Sequence, residues 1–130
     1  MKVPETLKYS TDHEWIKVLE DDIALVGITD HAQSELGEIV YVEIDNLGEH
    51  VDQGEVFGTI EAVKTTSDLM MPVSGEVLEM NQTISEDGDD DPGQVNNDPY
   101  GDGWLIKIKM SDPAQLEALM DAEAYKSLVS

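Results

Sequence analysis

The sequence predicts a small, mainly β fold: a sandwich or barrel with a short internal helix and C-terminal helices. Three observations carry this. Short segments rich in β-branched residues, apolar positions alternating with polar ones, recur through the first four-fifths of the chain. Gly, Asp, Asn and Pro punctuate them about every eight to twelve residues, the rhythm of strands joined by turns. A chain of 130 residues with 40% apolar content can build one modest core. It therefore reads as a single domain over 1–130, with a core at about 9–110 and a helical addition at about 112–129.

Taken in order, Trp15-Ile16-Lys17-Val18 and Ile23-Ala24-Leu25-Val26-Gly27-Ile28 flank the acidic turn Glu20-Asp21-Asp22 and read as a hairpin. Asp30 stands as the cap of a short helix to Leu36, with Gln33 in the capping-box position and Gly37 as the stop. Val40, Val42 and Ile44 alternate with Tyr41 and Glu43, the pattern of a strand with one buried face. Gly48 and Gly54 mark turns before the strand Val56-Phe57-Gly58-Thr59-Ile60-Glu61, and Asp68-Leu69-Met70-Met71 is the next. Gly75 turns the chain before Val77-Leu78-Glu79-Met80, and both it and Gly58 suit tight backbone paths.

Residues 81–103, rich in Asp, Asn, Gly and Pro, form the longest irregular stretch. Trp104, Ile106 and Ile108 then alternate with Leu105 and Lys107 in a final strand. Asp112 caps a helix with Pro113 at its first position and Gln115 completing a capping box; Leu116, Leu119 and Met120 make its apolar stripe. A second helix after Asp121 packs Tyr125, Leu128 and Val129.

Several chemistries are excluded. Without Cys there are no disulfides, zinc thiolate sites or cysteine nucleophiles. His13, His31 and His50 lack metal-ligand spacing and read as local hydrogen-bond partners, His13 anchoring the opening strand. Asp87, Asp89 and Asp91 resemble the start of a calcium loop, but Pro92 stands where that loop needs Gly and position 98 is Asp where it needs Glu. The expectation there is a solvated loop and no metal. No Gly-x-Ser-x-Gly elbow and no phosphate-cradling Gly loop followed by Lys occurs. No apolar run has the length of a membrane span, and the N-terminus lacks a secretory apolar segment and an Arg-rich address. A bacterial or archaeal cytoplasm is the expected location.

The most specific stretch is Glu61-Ala62-Val63-Lys64-Thr65-Thr66-Ser67-Asp68-Leu69, which places Lys64 at or near an exposed hairpin tip between two strands. Most lysines in turns are solvated charges; the surroundings of this one set it apart. Around it lie Tyr9-Ser10-Thr11-Asp12-His13-Glu14-Trp15, then Gly27-Ile28-Thr29-Asp30-His31-Ala32-Gln33 with Leu36-Gly37-Glu38-Ile39-Val40-Tyr41-Val42. After it come Pro72-Val73-Ser74-Gly75-Glu76-Val77 and Asn97-Asp98-Pro99-Tyr100-Gly101-Asp102-Gly103-Trp104-Leu105-Ile106-Lys107-Ile108.

Together these blocks resemble, in order and over nearly the whole chain, the H-protein family of glycine cleavage systems. One departure is visible: Glu86-Asp87-Gly88-Asp89-Asp90-Asp91 is longer and more acidic than that family's connection before its Pro-x-x-Val-Asn element, here Pro92 to Asn96. Biotin carriers are similar in fold but have Ala-Met-Lys-Met where Val63 and Thr65 flank Lys64 here. Lipoyl modules of 2-oxoacid dehydrogenases come with a Pro/Ala-rich linker, which this sequence lacks.

The resemblance implies a barrel-sandwich hybrid of the biotinyl/lipoyl type, and lipoate attached covalently to Lys64. It implies a shuttle with no active site of its own. A pyridoxal-phosphate glycine decarboxylase loads an aminomethyl group onto the arm, a tetrahydrofolate-dependent aminomethyltransferase removes it, and dihydrolipoamide dehydrogenase reoxidises the dithiol. A lipoate-attaching enzyme is a further implied partner, with Glu61 as a residue it reads. Relay of lipoyl groups to other enzymes is the alternative use. A carried group prone to hydrolysis calls for a cleft that hides it from water. Glu14, Asp68 and Asp12 are the candidate carboxylates for that cleft, set against the alternative that they are ordinary surface acids among 29.

The net charge is −22, with seven lysines and no arginine. Over a folded surface of roughly 7,000 Å², that is about one net charge per 300 Å², or a spacing on the order of 17 Å, some two Debye lengths. Average repulsion is screened at this spacing, whereas repulsion within Asp89-Asp90-Asp91 is not. Nucleic acid is an unfavourable partner, and the surface suits either a salt-rich medium or partners with basic faces. Adaptation to salt predicts a melting temperature that rises as salt is added; a flat or falling one, by calorimetry, eliminates that option.

Overall fold

The computed structural model describes residues 2–129. Among these residues nine strands form two antiparallel sheets. Strands β1 (Lys8–Tyr9), β2 (Glu14–Glu20), β3 (Ile23–Ile28), β5 (His50–Val51), β8 (Gly75–Met80) and β9 (Ile106–Met110) make a six-stranded sheet in the order β1-β2-β3-β9-β8-β5. Strands β4 (Ile39–Ile44), β6 (Val56–Ala62) and β7 (Thr66–Met70) make a three-stranded one in the order β4-β6-β7. The helices are α1 (Asp30–Leu36), α2 (Gln94–Asn97), a 3-10 helix at Pro113–Ala118, and α3 (Ala122–Val129).

The main core lies between the sheets: Val26, Ile106 and Ile108 from the larger meet Phe57, Ile60 and Leu69 from the smaller, and all six are buried. Alternation along β2 sends Ile16 into this core and Trp15 to the opposite face. There Trp15, Tyr9, Leu7, Ala122 and Tyr125 form a second buried cluster under α3. The Tyr9 and Tyr125 rings stack with centroids 4.7 Å apart. The backbones of Tyr9 and Met120 exchange two hydrogen bonds of 2.8 Å, which draw the C-terminal segment onto β1. This is the barrel-sandwich architecture with helices added at its C-terminal end.

Local expectations were met where pairing or a single turn decides the outcome. The β2–β3 hairpin closes through Asp21, whose φ is 47°. Gly48 and Gly54, with φ of 85° and 84°, occupy the left-handed region that turns demand there. Six details came out differently. The side-chain cap of α1 is Thr29, whose Oγ1 accepts from the Ala32 N–H at 3.1 Å. Asp30 is instead the first helical residue and accepts from Gln33 Nε2 at 2.7 Å. Val40 is 43% exposed, because a bulge between Ile39 and Tyr41 leaves it unpaired and breaks the alternation, so Ile39 and Val42 point inward.

Gly75 lies within β8 and not in a turn; a Cβ there would come within 2.6 Å of the Lys109 carbonyl oxygen. Trp104 precedes β9 and is half-buried against the second cluster, while Leu105 beside it is fully buried. Asp112 makes no side-chain cap, and the helix it opens is 3-10; Gln115 Oε1 accepts from the Ser74 N–H and so ties that helix to the turn before β8. Leu128 is 49% exposed on the outer face of α3, where Tyr125 carries the packing.

Because Thr29 makes the cap, Thr29→Ala should lower the unfolding free energy by about 1–2 kcal/mol, clearly more than Asp30→Ala. Urea titrations of the two variants showing equal losses, or the reverse order, refute the assignment.

Candidate functional site

Lys64 sits with Val63 at the two-residue tip of the β6–β7 hairpin, and both are exposed. The tip is closed by the Ala62 N–H bonding the Thr65 carbonyl at 2.8 Å. The Val63 N–H points sideways, to the Glu38 carbonyl at 2.9 Å. A Cβ placed on Gly37 would lie 3.0 Å from Lys64 Cε and 3.5 Å from its Nζ, so the lysine stem rests over the C-terminal stop of α1.

Beside this tip is a cleft of about 340 Å³ between β7 and α1, closed at one end by the start of β2. Its apolar wall includes Ile60, Leu69, Ala32 and Leu36. Asp12, Glu14 and Asp68, three separate expectations from the sequence, all line it. Asp12 and Asp68 are exposed carboxylates, whereas Glu14 is only 2% exposed. Glu61 does not line the cleft; it stands exposed on β6, paired with Thr66 across the hairpin. Lys64 is not a lining residue either, but lies beyond Asp68 by four residues, at most roughly 14 Å of extended chain.

Glu14 bridges the two sheets. Its Oε2 accepts from the Met70 N–H at 3.0 Å, and its Oε1 accepts from the Ser10 hydroxyl at 3.0 Å. Burial pushes its pKa up to about 8, outweighing the two bonds, which favour the carboxylate; the charge of Asp12 adds to the rise. At neutral pH the cleft thus holds a largely neutral acid deep inside, with Asp12 and Asp68 exposed at its edge.

Sequence reasoning read the histidines as hydrogen-bond partners and missed the place of two of them in the cleft. His13 and His31, separate on the chain, line the same cleft with ring centroids 4.9 Å apart. Burial lowers the His13 pKa, the His31 ring lowers it further, and Asp12 and Glu35 oppose this. The backbone of His13 has φ of 66°, uncommon for a residue with a Cβ. Its Nδ1 lies 2.8 Å from the Tyr125 hydroxyl, which is also 2.7 Å from Thr29 Oγ1. One buried phenol therefore fixes both the cleft end at His13 and the N-terminus of α1. No spacing signal could have shown this, because its members lie far apart along the chain. His50 is elsewhere, 3.2 Å from the Ser111 hydroxyl. Among the described residues no cluster of His, Asp and Glu could hold a metal ion, and no helix is long and apolar enough to cross a membrane.

Residues 7–130 match the family model described as Glycine cleavage H-protein. The Glycine cleavage system H protein of Bacteroides thetaiotaomicron is 55% identical over 130 residues, covering 100% of this chain and 99% of its own. That of Pelodictyon phaeoclathratiforme is 56% identical over 129 residues, 98% of each chain. The crystal structure of a glycine cleavage system H protein from Mycobacterium marinum superposes with a TM-score of 0.85 at 36% identity, covering 97% of this chain and 98% of that one.

The raised pKa of Glu14 has a definite sign. Between the ordinary value of 4.5 and about 8, the folded state binds this proton more tightly than the unfolded state does. Its contribution to stability therefore falls as pH rises across that window and levels off above it. Relative to the wild type, Glu14→Gln should become progressively more stable from about pH 5 to about pH 8. A difference in urea unfolding free energy that stays constant over this range contradicts the buried, neutral acid.

Proposed function

The chain belongs to the glycine cleavage H-protein family and is a lipoyl carrier of that system; we propose that Lys64 is the residue that bears the lipoyl group. The observation that carries this reading is an exposed lysine on a two-residue hairpin tip beside a cleft lined with acids. An amine there is open to a modifying enzyme, and the strands on either side keep the backbone beneath it in place. Glu61, exposed three residues before it, offers that enzyme a charged side chain on the same hairpin.

The residues present fit a long, mostly apolar arm with a polar end. Ile60, Leu69 and Leu36 give an apolar wall, while Glu14, Asp68 and Asp12 supply polar groups around it. When bound, the lipoyl group supplies the pair of sulfurs used in turn by a pyridoxal-phosphate glycine decarboxylase, a tetrahydrofolate-dependent aminomethyltransferase and dihydrolipoamide dehydrogenase. The chain's own tasks are physical. Lys64 contributes the attachment nitrogen and, once acylated, loses its positive charge. Asp12 and Asp68 attract a cationic amine to the cleft mouth, and Glu14 offers it a hydrogen-bond partner away from bulk water. The apolar wall excludes water from whatever lies against it. A tether at the tip keeps the cargo near a docked active site at an effective concentration in the millimolar range.

Incubated with lipoate, ATP and a lipoate-attaching enzyme, the wild-type chain should gain the mass of one lipoyl group. Lys64→Arg should gain none, keep its circular dichroism spectrum, and reduce glycine-dependent carbon dioxide exchange with the purified partners to background. A Lys64→Arg chain that is still modified, or that supports exchange at the wild-type rate, defeats the proposal.

A further inference from the structure

Asn96, from the irregular stretch 81–103, bonds the segment that passes beneath the lysine tip. It belongs to α2, a four-residue helix anchored by the fully buried Val95. Asn96 Oδ1 accepts from the Ile39 N–H at 2.9 Å. Its Nδ2 donates to the Gly37 carbonyl at 2.8 Å and to Gln33 Oε1 at 3.0 Å. The acceptor and both donors of this side chain are thus engaged, and they bracket Glu38 on both sides. Glu38 is the residue whose carbonyl receives the Val63 N–H, and Gly37 is the residue over which the Lys64 stem passes.

The tip has little to hold it otherwise. Two-residue hairpin loops favour Asn-Gly or Gly-containing pairs, because turns with positive φ match the right-handed twist of the flanking strands. Here the pair is Val63-Lys64, and neither residue takes a positive φ. Val63 is 67% exposed, so no side-chain packing fixes it. Beyond its own Ala62–Thr65 bond, the tip's backbone is supported by the Glu38 carbonyl, next to the Ile39–Ala62 pairing at the end of the β4–β6 ladder. The segment carrying that carbonyl is held from beneath by Asn96.

We infer that Asn96 is a positioning residue for the modification of Lys64: it fixes the 37–39 shelf on which the hairpin tip and the lysine stem rest, and the modifying enzyme meets tip and shelf as one surface. The inference rests on the reading of Lys64 as the attachment residue. It also gives a task to the Val-Asn part of an element that the sequence singles out without a role. Asn96 touches neither Lys64 nor the incoming acyl group, so its effect passes through the backbone of residues 37–39.

The test is the rate of lipoyl transfer to the full chain, followed by intact mass with lipoate, ATP and a lipoate-attaching enzyme. Asn96→Ala removes all three bonds, and should lower kcat/KM for modification at least about tenfold, since small misplacements of a reacting group are costly. The loss should persist at saturating carrier, because the fault is a misplaced amine and not weakened encounter. Asn96→Asp keeps the acceptor for Ile39 but loses both donors, and should fall between. Amide hydrogen exchange at Val63 should quicken in both variants, and at Ile39 with it in Asn96→Ala, while the other sheet amides stay protected, which general destabilisation would not produce.

Modification of a folded Asn96→Ala chain at the wild-type rate overturns the inference; if that variant fails to fold, Asn96→Asp at the wild-type rate does so. One arm requires no variant: the Val63 amide of the wild-type chain should be protected alongside that of Ile39, and exchange at the rate of an unstructured peptide refutes the shelf. Absence of any adduct on the wild-type chain, or its presence on Lys64→Arg, would fault the reading of Lys64 instead.

Discussion

Glu14 is the polar side chain on which the two sheets converge. Burying a carboxyl group is costly unless its oxygens are hydrogen-bonded and its charge suppressed. Both conditions hold: Met70 and Ser10 bond its two oxygens, and burial favours the protonated form. Its bond to Met70 joins the start of β2 to the end strand of the smaller sheet. This contact ties the two sheets together at that end, and the cleft opens between the same β7 and helix α1. The cleft wall and the deepest acid of the cleft are thus one element of construction.

A second constraint arrives from the far end of the chain. Tyr125 stacks on Tyr9, and its hydroxyl reaches His13 and Thr29. His13 has a left-handed backbone that most residues with a Cβ avoid, and Thr29 caps α1. The C-terminal helix therefore acts as a buttress behind the cleft as well as a cover for the second cluster. Asn96 plays the matching part for the lysine tip. Segments that look like additions to the β framework are what fix the two ends of the site.

The charge has a place in this picture. The solvent-accessible surface is 6565 Å², and the acids at the cleft edge add a local field to the general negative potential. That field favours a cation entering the cleft. The acidic loop at 86–91 does not border the cleft. It folds back on Gln82 and Thr83 through the Asp89 and Asp91 N–H groups, and Glu86 lies close enough to Tyr41 to raise the pKa of that phenol. Its contribution to docking would concern the β4 side of the molecule.

How much was legible followed from the range of the interactions. Strand alternation, the Asp21 turn, the stop at Gly37 and a lysine at a hairpin tip depend on a few adjacent residues, and the sequence determined them. The family's residue pattern added which sandwich this is, a distinction periodicity does not make. Where local and distant partners competed, the distant ones won. A bulge against β6 turned Val40 outward, and Ser74 drew Gln115 away from its capping box. Thr29 made the cap of α1 while also meeting Tyr125. The meeting of His13 with His31, the neutral state of Glu14 and the shelf held by Asn96 were decided only by the tertiary structure. Each depends on burial or on partners from other elements, and a one-dimensional pattern carries no record of either.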